Sequence, residues 1–288
     1  MEAALEVKNL RKHYTGFTLD DVSFTLPGGA IMGFVGENGA GKTTTIKAIL
    51  NLIRRDGGQA SVFGLDSAAE ESAVKRQLGV VMDECMFHDT LKATQIDRIC
   101  ARIFDDWDNE LFAAYCREFK LPPAKQVKEY SRGMKMKLSI AAALAHHPRL
   151  LLLDEATSGL DPVMREEILD VFLDFIKDDR HSIFLSSHIT SDLDKIADYI
   201  TFIQQGKIVF SADKNELLEQ RMLVHCGEAA FAALDPALLL RYRKNAFGYE
   251  ALLNCRVELG GAYKTARPSI EEIMVFYARG EEWGGEKQ

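Results

Sequence analysis

The sequence predicts an α/β fold: a mixed sheet flanked by helices, with an antiparallel β subdomain at its N-terminal end, an inserted helical subdomain and a small C-terminal α/β appendage. Three observations carry this expectation. Short apolar runs (Ile31 to Val35, Leu78 to Met82, Leu150 to Leu153, Ile183 to Leu185) alternate with stretches of helical periodicity, as buried strands and their crossover helices do. The first 30 residues instead alternate apolar and polar side chains with only tight turns between runs. Residues from about 86 to 147 read as helices throughout and interrupt the α/β pattern.

Leu5 and Val7, then Val22, Phe24 and Leu26, place every second side chain on one face, and Pro27-Gly28-Gly29 ends the second run. Ile31 to Val35 leads into a glycine-rich loop, after which Ile46, Ile49 and Leu50 recur at helical spacing over Thr43 to Leu52. In the insertion, Ile96, Ile99 and Ile103 predict one apolar helix face. Leu111, Phe112, Tyr115 and Phe119 predict another, opened by Asp108 as N-cap. Leu121-Pro-Pro-Ala breaks the pattern, and a third helix is expected from Ser131 with Met134, Leu138, Ala141, Ala142 and Ala145 inward.

Leu150 to Leu153 is then a fully buried strand. Asp161-Pro162 opens a helix as N-cap followed by proline at its first position, with Ile168, Val171, Phe172 and Phe175 on its apolar face. Gln205-Gly206 joins Tyr199–Ile203 to Lys207–Phe210 as a hairpin. Past residue 212 the signals shorten, up to Pro268 and a final helix over Ile270 to Tyr277, so 1–212 and 213–288 are expected as separate regions. Arg241, Arg243 and Lys244 interleave with Tyr242 and Phe247 and are expected on a solvated helix face.

The chain has 288 residues and a formal net charge of −8, which argues against a broad nucleic-acid grip. The apolar stretches, Leu150 to Leu153 among them, are all far short of the roughly 20 residues a membrane span needs. Met1-Glu-Ala-Ala-Leu-Glu-Val-Lys shows no basic region followed by an apolar core, so no secretory signal is expected. The five cysteines (Cys85, Cys100, Cys116, Cys226, Cys255) have no CxxC spacing and are expected as reduced, mostly buried thiols.

The loop after the first apolar run is Gly36, Glu37, Asn38, Gly39, Ala40, Gly41, Lys42 and Thr43, a complete GxxxxGK[ST] between a strand and a helix. Glycines let the backbone N–H groups approach phosphate oxygens, and the helix N-terminus adds partial positive charge. Lys42 supplies a full charge and Thr43 a hydroxyl for Mg²⁺, with Thr44 next in the first turn assigned to the same phosphate-binding set. This is a P-loop NTPase core. Its other half is Leu150-Leu-Leu-Leu-Asp154-Glu155, where the buried strand delivers Asp154 toward a hydrated Mg²⁺ and Glu155 as general base for an attacking water.

With these residues in order, the chain resembles the ATP-binding subunits of ABC transporters over residues 5 to about 212. Tyr130-Ser-Arg-Gly-Met134 stands in the place of that family's signature, Ser158-Gly-Leu-Asp161 looks like its D-loop, and Ser186-Ser-His188 looks like its switch histidine. Tyr14 falls where the family sets an aromatic ring against adenine. The resemblance implies two nucleotide domains packed head to tail around two ATP molecules. One chain then presents Lys42, Thr43, Asp154, Glu155 and His188. The other presents Ser131 and Gly133, with Asp161 working across the interface.

Departures from the family pattern are specific. Arg132 and Met134 replace the usual Gly and Gln of the signature, and Ala156 follows Glu155 where Pro is common. Asp83 stands where the family has a Gln that touches Mg²⁺ and water, and it is expected to replace that residue as a metal contact.

The resemblance further implies a homodimer or a heterodimer with another ABC ATPase chain, a separate integral membrane permease, no nucleic acid, and a place in the cytoplasm on the inner face of the cell membrane. The permease is expected in a groove near Asp83 to Phe104, with Met82, Met86, Phe87 and Ile96 as its apolar lining. Arg267-Pro-Ser-Ile-Glu-Glu-Ile-Met274 is similar to the end of many drug- and antibiotic-export ATPases, which leans the expectation to export. The rival reading is a non-transport ABC-type ATPase of the translation or DNA-repair kind. The single phosphate loop and the lack of sustained heptads weigh against it.

Overall fold

The early alternation folds as a long hairpin. A computed structural model describes residues 2–283. In chain order the first part comprises β1 (Ala3–Tyr14), β2 (Phe17–Pro27), β3 (Ile31–Val35), α1 (Lys42–Ile49), β4 (Gly57–Val62), β5 (Leu65–Asp66), α2 (Glu71–Arg76) and β6 (Leu78–Val81). It continues with α3 (Ala93–Cys100), α4 (Asn109–Glu118), α5 (Arg132–Leu144), β7 (Leu150–Asp154), α6 (Pro162–Phe175), β8 (Ser182–Ser187), α7 (Thr190–Ile196), β9 (Tyr199–Gln204) and β10 (Lys207–Asp213). The remaining elements are α8 (Lys214–Gln220), β11 (Met222–Cys226), α9 (Glu228–Ala232), β12 (Leu239–Asn245), β13 (Gly248–Leu253), β14 (Tyr263–Ala266) and α10 (Ile270–Arg279).

β1 pairs antiparallel with both β2 and β4, in a sheet of order β2-β1-β4-β5. The β4 and β5 pair was not legible in the sequence, because Gly57-Gly-Gln-Ala has little apolar alternation to mark it. The central sheet runs β10-β9-β3-β8-β7-β6, and β3, β8, β7, β6 and β9 are mutually parallel along it. Every residue of β3, β7 and β8 is buried, as strands covered on both faces require. The Phe24, Phe34 and Phe184 rings, with centroids 5.2–5.4 Å apart, join the two sheets in one core.

Parallel register fixes what the site can be. Val35 lies opposite Ser187, and Asp154 opposite Ser186. The C-terminal ends of β3, β8 and β7 therefore open side by side at one edge, where α/β sheets carry their ligands.

In the insertion, Asp108 caps α4 as expected, its side chain accepting from Leu111 N at 2.8 Å. The isoleucine stripe divides. Ile96 is buried, whereas Ile99 and Ile103 are exposed, because α3 ends at Cys100 and the chain turns away before Ile103. Asp161 caps α6 with Pro162 at the first position. All five cysteines are free, yet only Cys100 and Cys226 are buried, so the expectation of mostly buried thiols does not hold.

The chain divides into two compact units, one ending at Ser211 and one starting at Ala212. The second is an antiparallel sheet of order β12-β13-β11-β14 with its own core of Met222, Val224, Phe231, Leu234, Ala251 and Leu253. Arg241, Arg243 and Lys244 lie on strand β12, not on a helix. Each is paired with an acid: Arg241 with Glu282, Arg243 with Glu250 at 2.6 Å and Lys244 with Glu228 at 3.2 Å. Their charge is spent within the unit.

Candidate functional site

The phosphate loop folds because glycine stands where nothing else fits. Gly41 has φ 114°, and a Cβ there would come within 2.7 Å of Leu19 and 2.9 Å of Phe17. The loop ends as α1 begins at Lys42, which puts the unpaired N–H groups of the first turn at the loop's mouth. Lys42 is only 6% exposed. Its ammonium donates to the Gly36 carbonyl at 2.8 Å and the Glu37 carbonyl at 3.3 Å, and lies 3.2 Å from Glu155 Oε1.

Glu155 is held from both sides. His188 Nδ1 donates to its Oε2 at 2.6 Å, while Lys42 engages the other oxygen. Its backbone has φ 53°, a conformation non-glycine residues seldom adopt and one that gathers at functional sites. The turn is closed by Glu155 N donating to Ser186 O and Ser158 N donating to Glu155 O, each at 3.0 Å.

Asp154 is 1% exposed at the end of β7. Burial pushes its carboxyl above the ordinary value, and the hydroxyls of Thr43 and Ser186 partly hold it down. Its Oδ1 has no hydrogen-bond partner. A buried carboxylate oxygen left open beside a threonine hydroxyl fits a hydrated divalent cation of the Mg²⁺ kind. Among the described residues no three His, Cys, Asp or Glu side chains gather as a metal-binding group, so such an ion would need oxygens from a bound phosphate as well.

Lys42, Thr43, Asp154, Glu155 and His188 thus meet in one cluster. Ser131, Gly133 and Asp161 form a second. Ser131 Oγ accepts from Met134 N at 3.2 Å and caps α5, and Gly133 packs on Met164 and Leu160 beside the Asp161 cap of α6. Tyr14 ends β1 with its ring 47% exposed and Lys12 Nζ 5.3 Å from the ring centroid.

Asp83, expected as a metal contact, is ion-paired with Arg132 in this structure. Arg132 Nη2 donates to Asp83 Oδ1 at 2.7 Å, so two departures from the family pattern face each other. The same guanidinium lies against Gly159, where a Cβ would stand 2.8 Å from Nη1. The reason is geometric: the position is at the first turn of α5, and an arginine there reaches both loops while a glycine reaches neither.

The groove expected for a partner exists as a cavity of about 590 Å³ between β6, α5 and the turn after α3. Met82, Met86, Phe87, Ile103 and Phe104 line it, with Met86 79% and Ile103 66% exposed. Ile96, expected there, is instead internal packing. Sequence reasoning missed the buried Asp192 and Thr157 and the partly buried Arg165 beside them. No motif or periodicity singles them out.

A strand-loop-helix phosphate cradle with an acidic strand end at its mouth defines a nucleotide-hydrolysing P-loop protein, and comparison with known proteins makes the class narrower. Residues 19–158 match the ABC transporter family. The bacitracin transport ATP-binding protein BcrA of Bacillus licheniformis is 34% identical over 212 residues, covering 73% of this chain and 69% of that protein. The lantibiotic transport ATP-binding protein SrtF of Streptococcus pyogenes is 31% identical over 220 residues, covering 75% and 94%. Among solved structures, an ATP-binding subunit of an ABC transporter superposes with a TM-score of 0.68 at 27% identity, covering 74% of this chain and 91% of that one. A dimeric ATP-binding cassette in a post-hydrolysis state with ADP and Pi shares the fold, with a TM-score of 0.66 at 18% identity. The chain belongs to the family of ABC transporter ATP-binding proteins, and it is an ATP-binding ABC ATPase. Among the described residues no helix is long and apolar enough to cross a membrane.

Proposed function

We propose that this chain hydrolyses ATP to drive export through a separate integral membrane permease, from the inner face of the cell membrane. It works there as a homodimer or as a heterodimer with another ABC ATPase chain. The observation that carries the reading is the meeting of Lys42, Asp154, Glu155 and His188 at one sheet edge, two of them locked together only through Glu155. Residues 1–212 do this work, and 213–288 are an accessory region.

ATP is bound by Gly36 to Thr44, with Tyr14 against adenine. Lys42 exchanges its carbonyl and Glu155 contacts for phosphate oxygens, which frees Glu155. Glu155 then takes a proton from water, and His188 holds its far oxygen and the terminal phosphate. Thr43 and Asp154 would hold Mg²⁺, which when bound neutralises charge on the phosphate oxygens. Asp83 would join them at the metal by giving up its exposed pair with Arg132. Across the dimer, Ser131 and Gly133 meet the partner's γ-phosphate at the α5 N-terminus, and Asp161 lies at the same interface.

The apolar groove supports a permease helix as its occupant, since a polar partner would gain nothing from Met86, Phe87 and Ile103. Export is supported by relatives named for bacitracin transport, lantibiotic transport and daunorubicin/doxorubicin resistance. The test is purification from membranes followed by Mg²⁺-dependent ATPase assay. A multi-spanning permease should copurify and be lost with Met86→Glu. Copurification with ribosomes, unaffected by that substitution, would overturn the reading.

A further inference from the structure

Asp192 is a carboxylate that none of these steps uses. It sits in the first turn of α7, four residues past His188, and is 1% exposed. A carboxylate buried this deeply persists only where partners replace its lost hydration. Arg165 of α6 places Nη1 3.9 Å from its Oδ1. The hydroxyl of Thr157, itself fully buried in the turn after Glu155, faces it. Burial lifts the Asp192 carboxyl above its ordinary value, and Thr157, Arg165 and Lys195 counter the rise while Glu166 adds to it. Arg165 Nη2 also donates to the carbonyl of Leu160, the residue before Asp161, at 3.5 Å. One carboxylate thus touches the switch helix, the turn after Glu155 and, through Arg165, the D-loop.

The network is also unfinished. Asp192 Oδ2 and Arg165 Nε have no hydrogen-bond partner, and 3.9 Å is an ionic contact only. Buried polar groups are nearly always satisfied, so the open atoms at this junction leave bonds for a closer packing of the same residues to make. His188 is half exposed, and packing alone does not set its direction. Its bond to Glu155 and the helix that follows it do.

Resting on the reading of Glu155 and His188 given above, we propose that Asp192 is a positioning residue for ATP hydrolysis. On nucleotide binding, Thr157 and Arg165 close on its carboxylate. This draws α7 against the D-loop and keeps the existing His188–Glu155 bond in place through the reaction.

The experiment is steady-state ATP turnover of the full chain, with thermal midpoints. Asp192→Asn keeps the shape and removes the charge. It should lower kcat about 10- to 100-fold, the usual cost of slight misplacement, with KM for ATP unchanged and the thermal midpoint not lowered. Thr157→Val should do the same and Thr157→Ser should restore turnover. Glu166→Gln breaks the exposed Glu166–Lys195 pair between the same two helices and should leave kcat unchanged. Unchanged kcat in a folded Asp192→Asn chain, or an equal loss in Glu166→Gln, overturns the proposal. If Asp192→Asn does not fold, the Thr157 pair decides by the same criteria. A wild-type chain without turnover overturns the reading of Glu155 and His188 first, and this inference with it.

Discussion

Glu155 and Asp154 are neighbours in sequence with opposite environments. Glu155 is ion-paired to Lys42 and bonded to His188, while Asp154 is buried with an oxygen left open. Glu155→Gln keeps the shape and removes the base, so turnover should fall by at least about 100-fold while ATP binding by equilibrium titration persists. Lys42→Ala should instead weaken the binding itself. Normal turnover in the glutamine variant would take Glu155 out of the reaction. For Asp154 the sign runs the other way from an ordinary surface acid. Burial holds its folded pKa above that of an ordinary carboxyl, so at neutral pH folding must bury a charge, and that cost vanishes as the group protonates. Without nucleotide, Asp154→Asn should therefore unfold at higher temperature than wild type at pH 7, and the gap should close as pH falls through the raised pKa. Thermal melts from pH 7 to 4 check this, and a variant less stable than wild type at pH 7 would refute it.

At the scale of elements, the Asp83–Arg132 pair joins the segment after β6 to the start of α5. Both side chains are about half exposed, so the pair is weak in itself. A double-mutant cycle with Asp83→Asn and Arg132→Gln should give a coupling of about 0.2–1 kcal/mol, fading in high salt. A coupling above this range that persists in salt would mean the two groups are desolvated. The contact of the same guanidinium with Gly159 places three loops named from separate motifs within one side chain's reach. That convergence belongs to packing. Nothing in the spacing of residues 83, 132 and 159 announces it.

Over the whole molecule, two hydrophobic cores stand in two units, and the phosphate loop belongs to the first. Leu253 is fully buried in the second core. Leu253→Ala should destabilise that unit by about 2–5 kcal/mol and leave ATP affinity unchanged, as denaturant unfolding and equilibrium binding would report. A loss of affinity in step with stability would assign residues after 212 a part in the nucleotide site. The apolar groove is the other large-scale feature. Its methionines suit a surface that adapts to a partner, and its size is that of a ligand cavity and not of a packing defect.

The local chemistry of this protein was already present in its sequence: the phosphate loop, the buried strand ending in Asp154 and Glu155, the caps at Asp108, Ser131 and Asp161, and the parallel strands themselves. Each is a short-range signal, because backbone conformation and strand burial depend on residues within a few positions. Tertiary structure alone decided the rest. It turned Ile103 outward and Ile96 inward, gave Asp83 to Arg132, put the cations near 243 on a strand, and buried Asp192 beside Arg165 and Thr157. Those outcomes depend on which distant groups meet once the elements pack, and pairing across 27 or 49 residues leaves no periodicity to read.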